Sequence, residues 1–177
     1  MELLHKYLFE FSGYLVENKI KVHVIGQMER LPPLTQTLLQ GIGYKGKGKG
    51  KGKGDEGRNL CLAISYGGRM DIVESCRQIT QEFQQGKINS TTEIDESLFH
   101  KHTALGALGL PDPDLIIRTS GEFRLSNFLL WQAAYAELAC IDCLWPEFTT
   151  EKCGEVINQY SMRKRRFGGV GITDDIG

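Results

Sequence analysis

No stretch of about eighteen consecutive apolar residues occurs in this sequence, so no helical membrane span is read from it. Its first residues lack a basic segment followed by an apolar core, and no secretory signal is read there. Charge of one sign is missing as well: 21 lysines and arginines stand against 22 aspartates and glutamates, a net charge of −1. Such a balance exerts no general pull toward nucleic acid or an anionic membrane, so any charge effect must be local and no nucleic-acid partner is expected. The five cysteines, at 61, 76, 140, 143 and 153, are an odd number without a disulfide-like framework, which suits a reducing compartment. Cys140 and Cys143 make a lone CxxC, without the second ligand pair or the thioredoxin-like context that zinc or redox chemistry would need. His100 and His102 lie two apart, diverge on a helix, and read as surface residues rather than ligands.

What is present suits one domain with a sizeable core, at 177 residues and 41% hydrophobic side chains. Apolar spacing predicts a helix over Glu2 to Glu17, and alternation predicts a strand over Lys19 to Ile25. Pro32-Pro33 is expected to start a short helix running to about Leu39. Residues 43–57 form a low-complexity insertion in which Lys-Gly is repeated from Lys45 to Gly54; glycine entropy and lysine repulsion predict disorder. It reads as a flexible surface insertion in preference to a phosphate- or headgroup-binding arm. Leu60 to Ile64 is a continuous apolar run, as a buried parallel strand requires. A helix is expected from Asp71 to Gln85 with Ile72, Cys76, Ile79 and Phe83 on one face, ended by Gly86. Asp95 opens another through Leu98 and His102, and a last long one spans Thr149 to Arg166. Strand and helix alternate, which predicts an α/β fold with a parallel β-sheet flanked by helices.

The densest chemistry lies between Asp114 and Phe148. Asp114 to Ile117 reads as a buried strand bounded by Pro111-Asp112-Pro113 and Thr119-Ser120-Gly121. Arg118 therefore stands at a strand's carboxyl end, where ligands gather in open α/β sheets. Arg124 follows on the loop, and Ser126 precedes the apolar run from Asn127 to Trp131, where a helix N-cap belongs. Two guanidinium forks beside a helix N-terminus would hold a phosphate or diphosphate. On spacing alone a blander arrangement stands equal to it, with Arg118 paired to Glu122 and Ser126 serving only as a cap.

The wording of the segment adds more. Ile117-Arg118-Thr119-Ser120-Gly121-Glu122, Arg124-Leu125-Ser126-Asn127-Phe128-Leu129-Leu130-Trp131-Gln132, Tyr135-Ala136-Glu137-Leu138, Leu144-Trp145-Pro146 and Arg165-Arg166-Phe167-Gly168-Gly169 resemble the cis-prenyltransferases, the undecaprenyl and polyprenyl diphosphate synthases. Ser65 to Val73 continues the likeness upstream, so that it covers most of residues 58–170. The resemblance implies a parallel sheet flanked by helices around a hydrophobic tunnel, and a Z-specific, magnesium (Mg2+)-dependent condensation of isopentenyl diphosphate with an allylic prenyl diphosphate. It implies that Arg118, Arg124, Leu125 and Ser126 bind substrate, that Glu137 is the magnesium-associated glutamate, and that Arg166 and Gly168 belong to a C-terminal signature reaching a diphosphate across a dimer interface. Glu137 lies eleven residues after Ser126, about 16 Å along a continuous helix, so either that helix is interrupted or the glutamate serves through another element or subunit. Phe123 stands where many members carry histidine or another polar residue.

The family's Asp-Gly-Asn-x-Arg segment, whose aspartate and backbone amides hold the allylic diphosphate and its magnesium, and the Ser-x-Glu-Asn segment that follows it do not occur in the chain. The chain is accordingly expected to be a single, N-terminally truncated cis-prenyltransferase domain, 1–177, with the first strand–helix units missing and the isopentenyl half of the site present. As given it is expected to be inactive alone and to act in a homodimer or a heterodimer with a related subunit. A non-catalytic partner subunit is the alternative, and a plain diphosphate-binding module a third. Cytoplasmic or membrane-peripheral placement is expected, or plastid if a transit peptide precedes the chain. Deleting Lys45 to Gly54 should change stability by less than about 1 kcal/mol in urea unfolding, because loop closure costs little per residue.

Overall fold

A computed structural model of the chain describes residues 6, 10, 13–15, 17–42 and 58–163. The Lys/Gly insertion at 43–57, most of the helix expected from Glu2, and Arg166 and Gly168 lie outside them. Contacts divide the chain into two compact units, Met1–Pro111 and Asp112–Gly177.

In the first unit, β1 (Lys21–Ile25) pairs in parallel with β2 (Asn59–Ala63), from Lys21 opposite Asn59 to Ile25 opposite Ala63. The ladder runs past both ends, with the Lys21 N–H donating to the Arg58 carbonyl at 2.8 Å and the Ile64 N–H to the Ile25 carbonyl at 2.9 Å. Gly26 turns the chain out of β1 at φ +118°, and a Cβ there would stand 2.1 Å from the Ile64 carbonyl oxygen, so only glycine fits. Val24 and Met28 pack with Leu39 of α1 (Pro33–Ile42) into a small core, joined by Leu31, Leu62 and Ile64. Leu60 and Ala63 are exposed, so β2 is less covered than its unbroken apolar run predicts. Among the described residues only one face of β2 meets that core.

Helix α2 (Gly68–Gln84) is followed by Gly86 at φ +69°, the left-handed exit expected there. Its buried stripe is not the predicted one. Cys76 is exposed and Phe83 is 42% exposed, whereas Ser75 and Ile79, one turn apart, are buried. A purely apolar count misses this because Ser75 is satisfied in place: its hydroxyl lies 2.8 Å from the Asp71 carbonyl and 3.0 Å from that of His102. Asp95 caps α3 (Glu96–His102) as predicted, accepting from the Leu98 N–H at 2.7 Å. His102 is not a surface residue: its side chain is 12% exposed, with Nε2 3.1 Å from Glu82 and Nδ1 2.9 Å from the Leu98 carbonyl.

Asp71 ties this corner together. One carboxylate oxygen accepts from the Tyr66 hydroxyl at 2.8 Å, and the other from the Ala104 N–H at 2.8 Å, fastening the first turn of α2 to the chain beyond α3. In the second unit, β3 (Leu115–Arg118) and β4 (Glu137–Cys140) form another parallel ladder, and α4 (Thr150–Ser161) buries Val156. Parallel strands with intervening helices make the fold α/β, as predicted. No helix among the described residues is long and apolar enough to cross a membrane. Asp71→Ala should cost about 2–4 kcal/mol in urea unfolding, because it removes two charge-assisted bonds and strands the Ala104 N–H; Tyr66→Phe should cost only about 1 kcal/mol.

Candidate functional site

The site grows out of the β3–β4 ladder. Leu115 faces Glu137 and Arg118 faces Cys140, so Arg118 is the last paired residue of its strand, as predicted. Pairing continues into the loop: the Ile141 N–H donates to the Arg118 carbonyl at 2.8 Å, the Ser120 N–H to Cys143 at 2.7 Å, and the Gly121 N–H to Ile141 at 2.9 Å. Gly121 has φ +65°, and a Cβ on it would come within 3.1 Å of an Asp142 carboxylate oxygen. The turn that follows Arg118 is therefore stitched to residues 141–143 by main-chain bonds alone.

Beyond Gly121 the structure departs from expectation. No helix begins at Ser126; residues 126–135 are a succession of turns. Ser126, Asn127 and Leu129 have φ of 47°, 66° and 44°, left-handed values that a right-handed helix cannot contain. The hydrogen bonds are those of separate turns, with Phe128 donating to Leu125 and Ala133 to Leu129. An anion at this loop would accordingly meet side chains and turn amides, with no helix dipole behind them. The interruption also answers the question of Glu137, which opens β4. With Ser120 at φ 69°, four of the six left-handed non-glycine residues described lie within 120–129, and such strain collects where a ligand or a switch requires it.

Ile116, Ile117, Arg118, Thr119, Ser120, Arg124, Leu125, Phe128 and Trp145 line one open pocket of about 300 Å³. Two guanidinium groups and two hydroxyls share it with an aromatic and aliphatic wall. Trp145 is 73% exposed, and its ring lies tilted by 30° against that of Phe148, the ring centroids 6.0 Å apart. Glu122 pairs with Arg124, not with Arg118. Of the residues expected from sequence, Arg118, Arg124 and Leu125 come together here; Ser126 lies on the same loop and is exposed. Thr119, Ser120, Phe128 and Trp145 were not singled out, although Thr119 and Ser120 directly follow the strand-end arginine.

The Glu137 carboxylate accepts from Arg163 Nη1 at 2.8 Å. Among the described residues no three His, Cys, Asp or Glu side chains gather as metal ligands.

The sequence profile of the undecaprenyl diphosphate synthase family of prenyltransferases matches residues 1–168. An isoprenyl transferase of Chlorobaculum tepidum is 41% identical over 169 residues, covering 95% of this chain and 60% of its own length. The farnesyl-diphosphate-specific ditrans,polycis-undecaprenyl-diphosphate synthase of Micrococcus luteus is 39% identical, over 96% of this chain and 65% of its own. The chain thus spans about three fifths of these curated relatives. A crystal structure of lavandulyl diphosphate synthase from Lavandula x intermedia, in complex with dimethylallyl diphosphate, superposes with a TM-score of 0.81 at 33% identity, over 93% of this chain and 67% of that one.

Because Ser126 caps no helix, Ser126→Ala should shift stability by less than about 0.5 kcal/mol, where loss of a working N-cap would cost about 0.5–2 kcal/mol. Urea unfolding distinguishes the two.

Proposed function

The chain belongs to the undecaprenyl diphosphate synthase family of prenyltransferases, and on that footing we propose that the pocket at the end of β3 holds isopentenyl diphosphate for condensation with an allylic diphosphate. One observation carries the reading: two arginines and two hydroxyls line the same pocket as Leu125, Phe128 and Trp145. Arginine keeps its charge at any working pH and offers paired donors that match phosphate oxygens, so Arg118 and Arg124 supply fixed countercharge to a diphosphate. Thr119 and Ser120 add hydroxyl donors. The apolar wall suits a short hydrocarbon tail and excludes water from one side of it. Together these groups bind and orient the isopentenyl unit.

Members of the family generally depend on Mg2+. When bound, the ion would neutralise charge on the diphosphates, with Glu137 the carboxylate that would hold it. Glu137, Arg166 and Gly168 keep the roles that the family likeness suggests, the last two within a homodimer or a heterodimer with a related subunit. Peripheral association with a membrane is part of the same proposal. The intact run from Arg118 to Ser126 favours an enzymatic subunit over a non-catalytic partner. The allylic half of the reaction needs donors on the leaving diphosphate, and the Asp-Gly-Asn-x-Arg segment that provides them in the family is absent from residues 1–177.

Titration calorimetry with isopentenyl diphosphate tests the site. Arg118→Ala and Arg124→Ala should each weaken binding about tenfold or more, the loss of a charge-assisted contact, and unchanged affinity in both would overturn the assignment. The 177-residue chain incubated with radiolabelled isopentenyl diphosphate, farnesyl diphosphate and Mg2+ should yield no long-chain product; sustained elongation would show that the allylic site lies elsewhere in it.

A further inference from the structure

Residues 122–125 run between the Gly121 turn and the left-handed Ser126 in neither helix nor strand. Phe123 is 81% exposed, while a Glu122 carboxylate oxygen meets Arg124 Nη1 in an ion pair. Arg124 is among the residues that line the pocket and Glu122 is not, so the pair joins a lining guanidinium to a carboxylate from beside it in the chain.

We propose that Glu122 is the resident counter-ion of Arg124, and that a diphosphate entering the pocket must take Arg124 from it. This rests on the diphosphate site proposed above and adds a residue that sets its affinity. Without a ligand, two cations in one small pocket would repel each other, and Glu122 neutralises one of them. A diphosphate brings more negative charge than a carboxylate and can reach Arg118 as well, so the exchange runs in its favour. The cost of the exchange is that of an exposed ion pair, since the Arg124 and Glu122 side chains are 61% and 39% exposed.

The experiment is calorimetric titration of the chain with inorganic pyrophosphate. Glu122→Gln should tighten binding by roughly two- to fivefold, the usual worth of an exposed pair, with an unaltered urea midpoint. In an Arg124→Gln background the same change should give no gain, which separates exchange at this guanidinium from a general loss of negative charge. Glu155→Gln, on exposed surface of α4, should do nothing in either background. Equal or weaker binding by Glu122→Gln, or a gain that persists without Arg124 or is matched by Glu155→Gln, overturns the proposal while leaving the diphosphate site standing. Unchanged pyrophosphate binding in both Arg118→Ala and Arg124→Ala would remove the site and this proposal with it.

Discussion

Main-chain pairing between β3 and β4 continues past the last strand residues, and in the second unit the placement of the cationic groups depends on that continuation. Ile141 donates to Arg118, Gly121 to Ile141 and Ser120 to Cys143, so three backbone bonds fix the exit turn. Position and chemistry are thereby separated. Arg118 is placed by the ladder, Thr119 and Ser120 by the pinned turn, and Arg124 by the loop that leaves it.

Much of this was legible in the order of residues. An apolar run closed by Pro111-Asp112-Pro113 and Thr119-Ser120-Gly121 has only one reading, and Arg118 falls at its end. Asp95 and Gly86 mark a helix start and a helix stop through their own conformational preferences, and both do so in the structure. Asn127 to Gln132 misleads for a physical reason. Its composition suits a helix as well as a row of turns, and a leucine at φ 44° leaves no trace in an apolar pattern. Ser75 fails the same way, since a buried hydroxyl is affordable only once a second carbonyl, that of His102, has arrived from elsewhere in the chain. The family likeness identified the arginines but said nothing of these conformations.

Two arginine–carboxylate contacts among the described residues of the second unit tie functional candidates to neighbouring side chains: Arg124 to Glu122, and Glu137 to Arg163. Exposed pairs of this kind hold geometry weakly and give way readily. Their arrangement suits a site in which the protein supplies provisional partners and a polyanion replaces them.

Parallel ladders also govern the order in which such a chain can acquire structure. No hairpin exists to start either one: Lys21 meets Asn59 across 59 − 21 = 38 positions, and Leu115 meets Glu137 across 137 − 115 = 22. The Asp71 bridge to Ala104 spans another 33. Only helices are local enough to form early, and each strand must wait, with its main-chain groups unpaired, for a partner that arrives late along the chain. Such non-local pairing slows folding, and the unpaired strand edges are the part of the chain exposed in the interval.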